Sequence, residues 1–342
     1  MAESTRDLNV AVFGAGAFGR NHLRIYRQLE QSGFGVRLVA VADTDPATTE
    51  MLRQQGGSTV FSSPEACLEA YLAGHLALDA VSICVPTSAH FPVASRALAE
   101  GLDVLVEKPI AVSLAEADAL IAQANASQRI LQVGLLERFN PAVIAAEPLV
   151  NGPMFFEAHR LSVFHRRALD VDVVLDLMIH DLDIVLSFAR SPIRQLHAVG
   201  LRILSRKTDI ANVRIEFESG CVANFTASRV STETVRKLRF FQPHQYLSLD
   251  YARQDLLVID LAQGHSPAQP GATMEGTSAS LVASKPPVHS GEPLLLEIQS
   301  FLESVRTRRP PRVASKQARD ALELALQINQ AIEAHASRAG LL

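Results

Sequence analysis

The stretch Leu8-Asn-Val-Ala-Val-Phe13-Gly14-Ala15-Gly16-Ala17-Phe18-Gly19-Arg20 decides the fold. A short apolar run ends in three glycines, and a helical pattern from Arg20 to Gln31 opens behind them. Each glycine has its own task. The first permits a tight turn, the second lets a pyrophosphate approach the backbone, and the third lets helix and strand pack closely. The helix start then offers unpaired N–H groups and positive potential to phosphate. A second apolar strand, Val36 to Ala42, ends in Asp43, 24 positions after Gly19. An acid near that spacing accepts hydrogen bonds from a ribose 2′-hydroxyl and repels a 2′-phosphate, which favours NAD over NADP. Arg20 and Arg53 are cations that weaken this preference.

Outward from this turn, strand and helix signals alternate as far as Gly134. Asp45-Pro46 and Ser63-Pro64 pair a capping side chain with proline at the first helical position, and Ser113 with Glu116 forms a capping box. Apolar strands are expected at Ala80 to Val85, Asp103 to Val106 and Ile130 to Gly134. Continuous apolar strands alternating with helices predict a parallel sheet covered on both faces. After Pro141 the pattern changes. A strand at Phe155 to Leu161 and a helix at Val173 to Ala189 precede strands near 193–204, 212–218, 221–228, 236–242, 245–250 and 255–261. Glu218-Ser-Gly-Cys221 reads as a hairpin turn. Strands clustered without helices predict a mainly antiparallel sheet. Residues 262–291 are rich in Ala, Ser, Gly and Pro and read as a loop. Helices at 293–307 and 316–337, the second capped by Ser315, close the chain. The expected class is therefore α/β in two domains. Residues 1–134 form a Rossmann domain, 135–314 a second α/β domain with a large open sheet, and the final helix packs back on the first.

The bulk properties exclude several classes. With 342 residues, 48% of them hydrophobic, the chain can bury two cores. A net charge of −4, from 32 cations and 36 acids, gives no reason to expect nucleic acid or membrane as a partner. No apolar run reaches membrane-spanning length, and no apolar signal core follows Met1. Cys67, Cys84 and Cys221 are far apart and form no paired motif, so a cytoplasmic protein without disulfides or a zinc ribbon is expected.

Two further features carry chemistry. In Asp172-Val-Val-Leu-Asp176-Leu-Met-Ile-His180-Asp181-Leu-Asp183-Ile-Val-Leu-Ser187, α-helical period puts Asp172, Asp176, His180, Asp183 and Ser187 on one stripe of a largely apolar helix. Acid and imidazole side chains are costly there unless paired or working. Asp176 and His180, four apart, can meet; a carboxylate fixes the imidazole tautomer and raises its basicity, which suits a base removing a hydroxyl proton. A satisfied core pair is a second reading. A metal site is a third, for which His159 and His165 lack diagnostic spacing. Glu107-Lys108-Pro109 closes a parallel strand at the end where open α/β sheets bind ligands. Lys108 there can polarise a substrate oxygen, or it is a surface lysine.

Together these residues resemble the glucose–fructose oxidoreductase/inositol dehydrogenase (Gfo/Idh/MocA) family across essentially the whole chain. The family's Glu-Lys-Pro motif matches residues 107–109, and its Asp-x-Gly-x-His-x-x-Asp motif matches Asp176, His180 and Asp183, with Met178 in place of the glycine. The resemblance implies a catalytic set of Lys108, Asp176 and His180 and no metal. It implies NAD contacts from Gly14, Gly16, Ala17, Phe18, Gly19, Asp43, Pro86, Thr87, His90, Glu107, Lys108 and Arg138. The last belongs to the loop after the final Rossmann strand. It also implies a homodimer or homotetramer assembled through the open sheet. The helix segment, with 227–239, is most similar to a bacterial subgroup that oxidises the C3 hydroxyl of UDP-N-acetylglucosamine for lipid A amino sugars. A free sugar or polyol dehydrogenase and a non-catalytic NAD-binding sensor remain alternatives. A UDP-sugar carries a diphosphate, which needs cations or N–H donors. The second domain supplies Arg160, His165, Arg166, Arg167, Arg229, Arg236, Lys237 and Arg239, of which Arg160 and Arg229 are the expected diphosphate ligands, with Lys108, Asp176 and His180 at the sugar.

Overall fold

The computed structural model describes residues 6–164, 171–263 and 279–340. His165, Arg166, Arg167 and the 264–278 part of the expected loop lie outside the described residues. The chain divides into two units. One comprises Met1–Leu136 with Leu294–Asp320, the other Glu137–Pro293 with Ala321–Leu342.

The first unit runs β1 (Leu8–Phe13), α1 (Gly19–Gln31), β2 (Val36–Ala42), α2 (Pro46–Gln55), β3 (Thr59–Phe61), α3 (Pro64–Leu72), β4 (Ala80–Ile83), α4 (His90–Ala99), β5 (Asp103–Glu107), α5 (Leu114–Ala126) and β6 (Leu131–Gly134). All its strand pairs are parallel, in the order β3-β2-β1-β4-β5-β6, which is the dinucleotide-binding arrangement. The caps fall where the sequence places them. Asp45 accepts from Ala47 and Thr48, Ser63 from Ala66, and Ser113 from Glu116. The three-residue β3 carries too little periodicity to be legible.

The second unit begins with α6 (Pro141–Ala146), capped by Asn140, and β7 (Phe155–Val163). A π-helical turn, Val174–Met178, leads into α7 (Ile179–Ala189). Seven strands follow: β8 (Ile193–Leu201), β9 (Ile210–Phe217), β10 (Val222–Ser231), β11 (Val235–Gln242), β12 (Gln245–Asp250), β13 (Asp255–Gln263) and β14 (Ala279–Ser284). They join β7 in an eight-stranded sheet ordered β14-β13-β12-β11-β7-β10-β9-β8. Only β7 and β10 pair in parallel. The 218–221 turn joins β9 to β10 as expected. Strand β14 falls inside the expected 262–291 loop; its Ala-Ser-Leu-Val-Ala-Ser sequence, read among Gly and Pro, masks an edge strand paired to β13. Strand β8 stops at Leu201 rather than 204, because Asp209 binds the N–H groups of Ile203, Leu204 and Ser205.

The chain closes with α8 (Pro293–Thr307) and α9 (Ser315–Arg338). The boundary differs from the expected 135–314 domain. Helix α8 belongs to the first unit, since Leu294, Ile298, Phe301, Leu302 and Val305 enter the core built on Val10, Leu23 and Tyr26. The larger part of α9 belongs to the second unit, where Leu324, Ala325, Ile328 and Ile332 enter the core. Apolar pattern shows that a helix is buried, but not against which sheet.

Candidate active site

The glycine turn has the three geometries its chemistry asks for. Gly14 has φ +88°, and a Cβ there would meet the Cys84 carbonyl oxygen at 2.6 Å. At Gly19 a Cβ would lie 1.9 Å from the Gly14 oxygen, so no side chain fits. At Gly16 nothing lies within 4 Å, leaving an open approach to the backbone. Ala17 and Phe18 are exposed beside it. Asp43 Oδ2 accepts from the Ala15 N–H at 2.6 Å and Oδ1 from the Asp45 N–H at 2.8 Å. The acid is thus fixed against the turn, and each oxygen keeps a second lone pair for a ribose hydroxyl. An open glycine cradle with a fixed acid beside it fits a dinucleotide.

Two buried histidines brace the strand ends around this turn. His90 approaches the Pro109 carbonyl through Nδ1 at 2.8 Å and the Val85 carbonyl through Nε2 at 2.9 Å. Burial lowers its pKa, with Lys108 adding to that and the two carbonyls and Glu107 opposing it. A neutral imidazole has one N–H, so it donates to one of the two carbonyls. His90, expected as a cofactor contact, therefore ties the 85–90 turn, with Pro86 and Thr87, to the loop that follows Lys108. His22, which spacing did not single out, places Nε2 3.0 Å from Glu107 Oε1. The Glu107 carboxyl also presses on Gly134, where a Cβ would lie 2.6 Å from Oε1. Glu107 is therefore a buried brace directly before Lys108. Beneath it Glu297 of α8 is fully buried, and neither carboxyl oxygen has a hydrogen-bond partner among the described residues. Burial, then the charge of Glu107, push Glu297 well above the usual carboxylate range. An acid in the run Pro293-Leu-Leu-Leu-Glu297-Ile is the signal that would have found it.

In the second unit, Asp172 caps the segment that carries Asp176 and His180. Its Oδ1 accepts from Val174 and Leu175 N–H at 3.0 Å each, and Oδ2 from Asn329 at 3.1 Å. The Val174–Met178 turn is π-helical, so the stripe expected at α-helical period holds only beyond it. π turns recur at functional sites because they re-aim side chains. Asp176 stays half-buried, with Arg229 Nη2 3.9 Å from its Oδ2, and His180 is 7% exposed.

The arginines are placed differently from the expectation. Arg160 is buried and engages Asp181 with two nitrogens, at 2.7 and 3.0 Å, and Glu137 at 2.8 Å, with its guanidinium 5.0 Å from the Tyr251 ring centroid. Burial opposes its charge, and the two carboxylates outweigh that. Arg229 is buried too, donating to the Val171 carbonyl at 2.7 Å and standing near Asp176 and Asp209. Both cations are committed to the protein's own groups, because strand ends that look apolar here point inward. Arg138, expected at the cofactor, is buried with Nε 3.4 Å from Asp183 Oδ2. Burial raises Asp183 to about 7, with Arg138 opposing. Glu137 and Arg138 thus grip α7 at Asp181 (through Arg160) and at Asp183, beside His180. Among the described residues no group of three or more His, Cys, Asp or Glu side chains is placed to hold a metal ion.

A parallel 3-2-1-4-5-6 sheet with this glycine turn defines an NAD-binding oxidoreductase unit. Residues 8–135 match the profile of the oxidoreductase family with NAD-binding Rossmann fold, and 151–241 match the GFO/IDH/MocA C-terminal domain. The chain is 32% identical to a UDP-N-acetylglucosamine 3-dehydrogenase of Acidithiobacillus ferrooxidans, over 97% of its own length and 99% of that protein. A crystal structure of that dehydrogenase superposes with a TM-score of 0.84, covering 96% of this chain and 99% of the other. A scyllo-inositol 2-dehydrogenase (NAD(+)) of Bacillus subtilis is 29% identical over 65% of this chain and 67% of that protein. The chain belongs to the Gfo/Idh/MocA oxidoreductase family.

Proposed function

We propose that this enzyme oxidises the C3 hydroxyl of UDP-N-acetylglucosamine to the 3-keto sugar, in the cytoplasm, for amino-sugar synthesis of the lipid A type. The observation that carries this reading is likeness at full length to a UDP-N-acetylglucosamine 3-dehydrogenase, where the inositol dehydrogenase matches two thirds of the chain. When bound, NAD supplies the hydride acceptor. Gly14, Gly16 and Gly19 with the start of α1 hold its pyrophosphate, and Asp43 the ribose hydroxyls. His180 takes the hydroxyl proton, with Asp176 orienting the imidazole and Arg229 steadying Asp176. Lys108 polarises the sugar oxygen, held in place by the bracing of Glu107. The same reading includes a homodimer or homotetramer formed through the open sheet face.

The test incubates the protein with NAD and UDP-N-acetylglucosamine, with an amine trap to draw off the ketone, and follows absorbance of reduced nicotinamide. A rise lost in Lys108→Ala and His180→Ala, with NAD affinity kept, is expected. General-base removal costs on the order of 10²–10⁴ in rate. Turnover of free sugars or inositol, and none of the UDP-sugar, would move the enzyme to the polyol class. Bound NAD without turnover of any sugar would leave a sensor.

A further inference from the structure

The proposed substrate brings a diphosphate, and both arginines expected to receive it are committed to internal partners. A second group of cations is available in the same unit. In the unit that carries His180, a cavity of about 260 Å³ lies between the β8–β9 turn and the C-terminal part of α9. Arg202, Arg206 and Lys207 line it, together with Asn329. All three cations are exposed, and none forms an ion pair with an acid among the described residues. Arg202, Arg206 and Lys207 thus stand together, exposed, on one short turn.

The backbone of the turn between them is fixed. Asp209, fully buried, accepts from the N–H groups of Ile203, Leu204 and Ser205 at 2.7, 2.7 and 2.9 Å and from the Ser205 hydroxyl at 2.7 Å. Four donors on one carboxylate fix the backbone from 203 to 205 before any ligand arrives, so the turn itself costs little ordering entropy on binding. The acids at the cavity do not cancel the charge. Asp172 is occupied by the helix N–H groups and by Asn329, which leaves Glu333 alone against three cations. Size sorts the ligand: pockets for whole drug-sized ligands start near ~300 Å³. A 260 Å³ cavity holds a charged fragment of a sugar nucleotide, not all of it. Position agrees as well. Asp172, on the cavity wall, caps the segment that leads to His180, eight residues further along the chain.

We infer that Arg202, Arg206 and Lys207 form the diphosphate subsite for a nucleoside-diphosphate sugar, with Asn329 as a neutral donor. This rests on the sugar-nucleotide reading above. The test compares the intact enzyme with an Arg202→Gln/Arg206→Gln/Lys207→Gln variant. Binding of UDP and of NAD is measured separately by calorimetry, and turnover of UDP-N-acetylglucosamine by steady-state kinetics. The expected result is a rise of tenfold or more in KM for the UDP-sugar and in Kd for UDP. kcat should stay within twofold, Kd for NAD should not move, and the salt dependence of UDP binding should weaken. Because these side chains are exposed, the melting temperature should hold, and Arg253→Gln, a cation elsewhere on the unit, should change nothing. If the triple variant binds UDP and turns over the UDP-sugar like the parent, the subsite is wrong and the sugar-nucleotide reading stands. A parent enzyme that neither binds UDP nor oxidises the UDP-sugar sinks both. Parallel loss of UDP and NAD binding would assign the cations to the cofactor and overturn the subsite.

Discussion

At the level of single residues, the glycines make a sharp pair of expectations. Gly19→Ala places a methyl on the Gly14 carbonyl at 1.9 Å, backbone against backbone, so the turn itself must move. That variant should lose both NAD binding and thermal stability, with overpacking of this kind costing about 1–3 kcal/mol. Gly16→Ala meets nothing within 4 Å. It should melt within a degree or two of the parent and still bind NAD tenfold or more weakly by fluorescence titration. Equal loss of stability in both variants would remove the distinction between packing and ligand approach. Asp183 offers a second test. Its folded pKa of about 7 lies above the ordinary aspartate value of 3.8. Between those values the folded chain binds more protons than the unfolded one, so this residue's contribution to stability is full below pH 3.8 and is lost as pH rises through 7. Asp183→Asn removes that titration. Relative to the parent, the variant should gain on the order of 2–3 kcal/mol between pH 5 and pH 8. Urea unfolding at both values measures this, and a constant difference would mean Asp183 stays ionised throughout, paired with Arg138.

At the level of elements, the sequence is most legible where one local rule settles the answer. The caps at Asp45, Ser63 and Ser113 and the turn at Glu218–Cys221 each concern a few adjacent residues, and the structure has them. The π turn was not legible, because its residues are as apolar as those of an α-helix and only the hydrogen-bond register differs. It alters the site all the same. Asp176 lies inside it and His180 beyond it, so their relative aim follows the wider turn rather than a simple four-residue step. Deleting Leu177 should let the segment relax to regular α-helix. The circular dichroism and melting curve should change little, while kcat falls 100-fold or more. Turnover that survives the deletion would show that the pair does not depend on this aim. The internal partners of Arg160 are hidden in the sequence for a related reason. Its strand position was evident, but not that Glu137, Asp181 and Tyr251, distant in sequence, would enclose it.

At the level of the whole molecule, the class of each unit follows from how strands and helices alternate, which is why the parallel and the mainly antiparallel sheet were both expected. The allotment of α8 and α9 was not, since each helix joins a core built from segments distant in sequence. The eight-stranded sheet leaves a further consequence. One face is lined by the buried alternation of β7, β10 and β11; the other carries Phe241 in ring contact with Phe155 and Tyr246, at 5.7 and 4.8 Å between centroids. Phe241 is 41% exposed there. Neighbouring charges, Arg239 with Glu157 at 3.1 Å, flank the ring cluster, giving the apolar centre and polar surround of a protein–protein contact. The proposed homo-oligomer would cover this face. Phe241 is exposed and does not support the core, so Phe241→Asp should keep the fold. It should also place like charges and unmatched polar groups at the centre of a symmetric contact, where hot-spot side chains contribute about 2 kcal/mol or more each. Light scattering after gel filtration should then show a dimer or tetramer for the parent and a smaller species for the variant at micromolar concentration. An unchanged mass for Phe241→Asp would move the interface off this face, and a monomeric parent would remove the oligomer altogether while leaving the NAD unit untouched.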